Sequence, residues 1–513
     1  MKILQNLPKL DAKNKLFMLN FIKKYFFELM LAAIILAVVI FSLSTLTTKP
    51  RLWTDEALSI ELARNFSSSG RLDLAVEPGV FSGVPYLLQS TGYPMTIALA
   101  GFFKIFGFGL VQARLFALAL MVILLITVYW FVKKLFGKAQ ALWGVLLIAT
   151  FASFYGNGRC VTGEILGFIF LIPGLYFLFY PPEENDRLKI FGPWRFWAGI
   201  FLGLAIVTKP SVYLMILPAV LIALIFLKRE FFSRAFSVLI GMAPAALLWI
   251  ILNVPNFFAP EPWTKILNFY KNPYAPLSIS DNVFSNFAGL LENTTLIYFL
   301  GLLAIIFWAV LKKGDFFKQH KGLLIFFAGY SALAIIYFFK SPGWLRYLMA
   351  VELLTFIILA PALGVILSSL NFKNSRFANK ANLLAAAMFF LAVFQTWHLF
   401  TRADIFYSDS YARVAGFVEA RLEGKTVGIY NALPIACLIS PENRLQMTDV
   451  MIGLPTLGKD FLAAGSQWPD FVIASLKEPL FIARENAVKE KYELVYSSGG
   501  YDVFSLKNAQ DKL

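Results

Sequence analysis

Apolar runs of about twenty residues, separated by short polar loops, repeat along most of the chain. A run of this length is sufficient for an α-helix to cross the hydrocarbon core of a bilayer. The pattern predicts about eleven membrane spans, at residues 26–46, 110–132, 139–157, 163–180, 194–208, 210–228, 234–253, 291–311, 322–340, 344–368 and 382–401. The sequence therefore predicts an α-helical polytopic membrane protein.

The apolar segment 93–106 differs from these runs because it has only about fourteen residues, fewer than a perpendicular span requires. Counting it as a span would reverse the side on which every later loop lies. We therefore interpret it as an amphipathic or re-entrant helix inside a long first external loop, residues 47–109. A tilted span is the alternative interpretation.

After residue 402 the apolar runs stop and the composition becomes that of a soluble domain. Short alternating segments there predict strands at 425–430 and 470–474, helices at 412–422 and 483–491, and a terminal hairpin over 492–504. We expect two domains, a membrane domain of residues 1–402 and a small α/β domain of residues 403–513.

Composition and charge agree with a membrane protein. Hydrophobic residues make up 58% of the chain, and the mean hydropathy is +0.68. The net charge is +15, but the basic residues cluster in loops that all fall on one side if the N-terminus is cytoplasmic. This positive-inside pattern disfavours nucleic-acid binding. It predicts a multi-pass protein of the inner (plasma) membrane, surrounded by membrane lipids, with an extracytoplasmic C-terminal domain.

Acidic residues stand at the predicted external ends of spans. Asp55 and Glu56 follow the first span, and Glu164 follows the second external turn. Carboxylates at a membrane boundary must meet water or a cation, because burying them alone in hydrocarbon is costly. They could simply complement the dipole of an interfacial helix. Alternatively, they could deprotonate an acceptor hydroxyl or hold a divalent metal ion.

Cations stand at the same predicted face, at Arg159, Lys209 and Arg346. Lys209 lies between two apolar runs on the side that the positive-inside tendency leaves poor in lysine. A snorkelling side chain would explain it, but charges at a membrane edge are also functional candidates. Such cations could stabilise the phosphate leaving group of a polyprenyl-phosphate sugar, whose lipid tail would lie among the helices.

At this point the chain resembles the GT-C superfamily of membrane glycosyltransferases, in the bacterial branch related to protein O-mannosyltransferases and lipid A aminoarabinose transferases. The resemblance covers roughly residues 25–400. The matching elements are Trp53-Thr54-Asp55-Glu56-Ala57, Tyr93-Pro94, Arg114-Leu115, Arg159 to Glu164, Thr208-Lys209-Pro210 and Arg346-Tyr347.

The resemblance implies inverting transfer of a sugar from a polyprenyl-phosphate donor to an envelope lipid, glycan or protein on the non-cytoplasmic face. On this analogy Asp55 is the catalytic base. Glu56 and Glu164 are supporting acids, and Asp55 with Glu164 could hold a divalent metal ion; no other cofactor is implied. Donor-phosphate binding is the role implied for Lys209, Arg159 and Arg346. Positioning of the acceptor or the donor is the role implied for Tyr93 and Tyr347.

Two other function classes remain open from the residues. A flippase or transporter would place charges near the bilayer midplane and build the chain from two related halves. The ionisable residues lie mostly at span ends, and no internal repeat is present. A scaffold that recruits partners through the C-terminal domain is the third hypothesis; that domain contains no GxGxxG or similar phosphate-binding motif.

Overall fold

The chain folds into a bundle of helices with a small sheet near its C-terminus, as seen in a computed structural model. The structure describes residues 12–83, 91–180, 193–227, 231–254, 256–271, 278–288, 294–312, 314–341, 345–369, 380–402, 407–421, 425–439, 444–448, 458, 468–475, 486 and 488–507.

The helices up to residue 402 are α1 (Ala12–Leu43), α2 (Thr54–Ser69), α3 (Tyr93–Phe106), α4 (Leu110–Phe136), α5 (Lys138–Thr150), α6 (Ala152–Gly158), α7 (Glu164–Phe179), α8 (Pro193–Thr208), α9 (Pro210–Tyr213), α10 (Ile216–Leu227), α11 (Phe231–Asn253), α12 (Pro260–Lys271), α13 (Ile279–Ala288), α14 (Thr294–Lys312), α15 (Gly314–Gln319), α16 (Lys321–Lys340), α17 (Met349–Ser369) and α18 (Lys380–Arg402). A 3-10 helix, Leu345–Leu348, leads directly into α17.

Over the residues that the structure describes, each predicted span corresponds to helix. Among the described residues, eight helical segments are long and apolar enough to cross a bilayer, or nine if α5 and α6 together form one span. Two further predicted spans correspond to the shorter apolar helices α7 and α8. The prediction of a polytopic helical membrane protein is therefore confirmed, whereas the number of eleven spans stays a prediction.

The structure shows a sharp bend inside one predicted span. The run 139–157 is broken at Phe151, where α5 and α6 meet at an angle of 65°. The run 210–228 contains α9 and α10, joined by a turn at Leu214 and Met215, and residues 210–227 together are long and apolar enough to form one span. Continuous hydrophobicity does not reveal the bend at Phe151, because this residue is as apolar as its neighbours.

Large apolar side chains remain exposed around the bundle, as expected for surfaces that face lipid. Leu36 of α1 is 59% exposed, Ile251 of α11 is 69% exposed and Phe390 of α18 is 70% exposed. The segment α3 is a helix over the predicted residues. At fourteen residues it is about 21 Å long, shorter than the hydrocarbon core.

The C-terminal part contains a five-stranded sheet. It consists of α19 (Ser410–Glu419), β3 (Val427–Tyr430), α20 (Leu433–Ala436), β4 (Arg444–Thr448), β5 (Phe471–Ser475), β6 (Tyr492–Ser498) and β7 (Tyr501–Leu506). The strand order is β4-β3-β5-β7-β6. The three strands β4, β3 and β5 are parallel, and β7 and β6 add an antiparallel hairpin.

Most of the predicted elements of this part are present, including both strands and the terminal hairpin. The predicted helix at 412–422 is α19, which begins two residues earlier. Of the predicted helix at 483–491, residues 483–485 and 487 lie outside the described residues. Strand β4 was not predicted. The first loop also contains an unpredicted hairpin, formed by β1 (Ala75–Glu77) and β2 (Val80–Phe81).

Candidate active site

Four separate parts of the chain meet at one end of the bundle and bring four charged side chains together. The parts are the start of α2, the start of α7, the junction of α8 with α9, and the 3-10 helix before α17. We call the charged side chains the four-charge cluster: Asp55, Glu164, Lys209 and Arg346.

Asp55 forms an ion pair with Arg346. The two groups are 2.7 Å apart, from Oδ2 of Asp55 to Nη2 of Arg346. Partial burial favours the neutral acid, but the positive charges of Arg346 and Lys209 outweigh it and lower the pKa of Asp55. Asp55 is therefore an ionised carboxylate at neutral pH. Its side chain is 32% exposed, so a molecule in the solvent can reach it.

Lys209 and Glu164 lie deeper in the same cluster. The Nζ of Lys209 is 3.9 Å from Oε1 of Glu164, and the two side chains are only 2% and 1% exposed. Lys209 also lies 3.5 Å from the hydroxyl of Thr91, to which it donates. Neither carboxylate oxygen of Glu164 has a hydrogen-bond partner among the described residues. This pair thus has unused capacity to accept hydrogen bonds inside a closed part of the site.

Two glycines allow the backbone to pack closely around this pair. A Cβ atom on Gly92 would lie 1.6 Å from the carbonyl oxygen of Val207. Gly92 also donates its N–H to the carbonyl of Thr208 at 2.9 Å, which fixes the start of α3 against the end of α8. Gly163 has φ of +94°, a left-handed conformation that favours glycine, and it turns the chain into α7 directly before Glu164.

A tyrosine fixes Glu164 from the other side. The hydroxyl of Tyr213 donates a short hydrogen bond to the backbone carbonyl of Glu164. In turn, the hydroxyl of Tyr330 donates to the carbonyl of Val212 at 3.0 Å. The short helix α9 is therefore held between α7 and α16, and this arrangement places Lys209 opposite Glu164.

Glu56 lies in a second, separate ion-pair network. Both of its carboxylate oxygens accept from Arg114, at 3.1 and 2.8 Å, and both side chains are fully buried. Arg114 also donates to the carbonyl of Leu46 at 2.9 Å. Glu56 was predicted as a supporting acid at the reacting groups, but these contacts make it an anchor between α2, α4 and the end of the first span.

Arg159 belongs with this second network. Its guanidinium donates to the carbonyl of Ser42 at 3.3 Å and to the hydroxyl of Thr45 at 2.7 Å. Its charge acts on Arg114 and Glu56. The predicted contact of Arg159 with a donor phosphate would require it to leave these partners at the end of α1.

The two predicted positioning tyrosines contact protein rather than an open surface. Tyr93 packs on Val207 and Ala245, and its hydroxyl lies 3.5 Å from the carbonyl of Ala245. Tyr347 follows Arg346 and is 5% exposed, and its ring contacts that of Tyr337 edge to face at 5.4 Å. Both tyrosines therefore brace the elements that carry Lys209 and Arg346.

A divalent metal ion does not fit the described residues well. Within the part of the chain that the structure describes, no group of three or more His, Cys, Asp and Glu side chains is close enough to hold one. The suggested ligands Asp55 and Glu164 face Arg346 and Lys209 instead. We therefore derive no step through a metal ion.

Sequence reasoning missed two residues that build the site. Arg114 is part of a matching sequence motif, but the motif does not indicate its pairing with Glu56. Thr91 contacts Lys209 and donates to the carbonyl of Thr162 at 3.2 Å, which links the first loop to the turn before α7. The signal that could have revealed the role of Arg114 is the arginine itself, because a buried charge at the start of an apolar run requires a partner.

Comparison with known proteins agrees with this architecture. The family model described as "Dolichyl-phosphate-mannose-protein mannosyltransferase" matches residues 94–255, less than half of the chain. The matched range contains Glu164 and Lys209, whereas Asp55 and Arg346 lie outside it. No curated protein sequence matches the chain.

Two solved structures resemble nearly the whole chain. One is ArnT from Cupriavidus metallidurans bound to undecaprenyl phosphate, with a TM-score of 0.59, 14% identity, and coverage of 94% of this chain and 98% of that chain. The other is the oligosaccharyltransferase AglB from Archaeoglobus fulgidus, in complex with an inhibitory peptide and a dolichol-phosphate. Its TM-score is 0.55 with 12% identity, and the match covers 96% of this chain and 75% of that chain.

At these identities the likeness establishes the fold. The chain has the fold of these two proteins, a helical membrane bundle with a small C-terminal sheet region. The fold implied by the resemblance of the sequence motifs is thereby confirmed.

Proposed function

We propose that this chain transfers a sugar from a polyprenyl-phosphate donor to an envelope acceptor on the non-cytoplasmic face of the plasma membrane. The observation that carries the proposal is the four-charge cluster, in which an ionised, solvent-accessible Asp55 lies beside two cations. The similar structures contain undecaprenyl phosphate and dolichol-phosphate, the class of lipid that the proposal requires.

Asp55 acts as the general base in this proposal. Its carboxylate accepts the proton of the acceptor hydroxyl while the acceptor oxygen attacks the anomeric carbon of the sugar. The bond between that carbon and the phosphate oxygen breaks in the same step, and its electron pair leaves with the phosphate. A single displacement of this kind inverts the anomeric configuration.

Lys209 and Arg346 bind the phosphate in the same proposal. The leaving phosphate gains negative charge as the glycosidic bond breaks, and fixed cations beside it lower the energy of that transition state. Lys209 is almost sealed from water, so its charge is screened little. Glu164 holds the lysine in place and offers free oxygens for a hydroxyl of the sugar.

The other predicted site residues take supporting roles. Glu56 joins α2 to α4 through Arg114, so it fixes the helix on which Asp55 stands. Tyr93 and Tyr347 hold the elements that carry Lys209 and Arg346. The membrane domain, residues 1–402, provides the chemistry, and the C-terminal domain, residues 403–513, lies on the extracytoplasmic side. The acceptor is a lipid, glycan or protein.

The test compares envelope glycolipids and glycoproteins by mass spectrometry in cells with and without the chain. A hexose- or pentose-sized mass difference on one class of molecule identifies the product. We expect the wild-type chain to restore this product, the Asp55→Asn variant to fail, and the Asp281→Asn variant to succeed. Asp281 is a matched control because it is an exposed aspartate at the start of α13.

Full product formation by correctly inserted Asp55→Asn would refute the assignment of the base. The flippase alternative makes a different prediction. Purified protein in liposomes would move a polyprenyl-phosphate sugar between leaflets without consuming it, and Asp55→Asn cells would accumulate no unused donor.

A further inference from the structure

The C-terminal domain contacts the first loop on both sides of Asp55. Before Asp55, the hydroxyl of Tyr411 in α19 donates to the carbonyl of Thr47, and the N–H of Ser408 donates to the carbonyl of Thr48 at 3.3 Å. Tyr411 is only 2% exposed. Burial raises its pKa to about 12, so its hydroxyl keeps its proton across the physiological range.

After Asp55, Arg64 of α2 reaches into the C-terminal domain. Its guanidinium donates to the carbonyl of Cys437 at 2.5 Å and to that of Ile439 at 3.1 Å, directly after α20. Glu61 lies 3.3 Å from the same guanidinium, which also lies 3.7 Å from the ring of Phe108. Arg64 is 7% exposed, so these charge-assisted hydrogen bonds are shielded from water.

The helix α2 connects these contacts to the reacting group. Asp55 and Arg64 are nine residues apart on one continuous helix, a distance of about 14 Å along its axis. A change in the position of Arg64 therefore moves the start of α2. Asp55 must keep its 2.7 Å contact with Arg346, which stands on a different element.

We infer that the C-terminal domain is a positioning part of the active site, because Tyr411 and Arg64 together hold α2 so that Asp55 faces Arg346. This inference rests on the proposed function of Asp55. It assigns the domain a role other than partner recruitment. Tyr411 and Arg64 are positioning residues, since they act through α2 and not on the substrate.

The experiment uses full-length variants in isolated membranes, which supply donor and acceptor. The variants are Tyr411→Phe, Arg64→Gln and the double variant. The matched controls are Tyr407→Phe, an exposed tyrosine beside Lys49, and Arg71→Gln, an exposed arginine of the same loop. The measured quantity is the rate of formation, per folded protein, of the product that is missing from membranes without the chain.

We expect the double variant to react about 10- to 100-fold more slowly, since a misplacement of about 1 Å can cost that much. The charges near Asp55 are Arg346, Lys209 and Glu164. If Asp55 moves away from the two cations, its pKa rises. As the pH is lowered, the rate of the double variant should then begin to fall at a higher pH than the rate of the wild type. Hydrogen exchange of residues 54–60 should become faster in purified protein, and both controls should match the wild type.

Wild-type rates in the double variant would overturn the inference. So would a lower rate with an unmoved pH profile and unchanged exchange at 54–60, because that result indicates that Asp55 and the start of α2 have kept their wild-type positions. The Asp55→Asn variant distinguishes a failure of this inference from a failure of the proposed function. If Asp55→Asn is inactive while the double variant is normal, only this inference fails; if Asp55→Asn is active, the proposed function fails.

Discussion

At the residue scale, the four-charge cluster has an outer and an inner pair. Asp55 and Arg346 are 32% and 18% exposed, whereas Lys209 and Glu164 are nearly inaccessible. An acceptor hydroxyl arrives from water, so the base needs the outer position. A phosphate is stabilised most by a cation in a low dielectric, so Lys209 gains strength from the inner position.

Replacement of Lys209 by methionine tests the inner pair. We expect Lys209→Met to weaken binding of undecaprenyl phosphate by about 10-fold or more, because a hydrogen bond to a charged group contributes about 1.5–3 kcal/mol. It should also lower the melting temperature, since Glu164 loses its cation. Intrinsic fluorescence and thermal unfolding of the purified protein measure the two effects.

The double variant Lys209→Met with Glu164→Gln should recover stability but not binding. An exposed lysine of α12 provides the control, Lys265→Met, which should bind as the wild type does. Wild-type affinity in Lys209→Met would contradict the phosphate role of Lys209.

Replacement of Glu56 by glutamine distinguishes an anchor from a catalytic acid. The change leaves Arg114 buried beside a neutral partner, and breaking a buried ion pair costs about 3–5 kcal/mol of folding free energy. The double variant Glu56→Met with Arg114→Met removes both charges, so we expect it to regain much of the folded protein and its activity. A double variant that folds but stays inactive would indicate that Glu56 acts in the reaction and is more than an anchor.

At the element scale, the short helix α3 supports the site through its first turn. Gly92 and Thr91 bring the first loop against Thr208 and Lys209, while the rest of α3 packs on α2 and α8. Because α3 has only fourteen residues, about 21 Å, its first turn can lie beside the reacting groups without the helix crossing the whole hydrocarbon core.

The glycine at this contact should tolerate no side chain. We expect Gly92→Ala to lose activity and about 1–3 kcal/mol of stability, because the added Cβ overlaps the carbonyl of Val207. Gly101→Ala on the same helix is the control, since a Cβ there meets no atom within 4 Å. Product formation in isolated membranes and thermal unfolding measure the difference; equal behaviour of the two variants would contradict the contact.

At the scale of the whole molecule, the sequence predicted the helices well because lipid forces apolar runs of fixed length. It also placed Asp55, Lys209 and Arg346 at one predicted face of the membrane, and these three side chains lie together in the four-charge cluster. It did not separate Glu56 and Arg159 from the cluster. Adjacent residues on a helix point in different directions, and the partner Arg114 lies far along the chain.

The sequence also does not indicate the bend at Phe151 or the contact of Arg64 with the segment after α20. These features depend on packing between distant segments, and no local pattern in the sequence encodes them.

The most direct test of the central claim is the dependence of the transfer rate on pH in isolated membranes, for the wild type and for Arg346→Gln. Arg346 and Lys209 hold the pKa of Asp55 below its ordinary value of 3.8, so Asp55 loses its charge only at strong acidity. The wild-type rate should therefore stay constant from about pH 8 to about pH 5. In Arg346→Gln the pKa of Asp55 rises, so the rate should be lower and should begin to fall at a higher pH than in the wild type. An Arg346→Gln profile parallel to that of the wild type, or a normal rate in Asp55→Asn, would contradict the account.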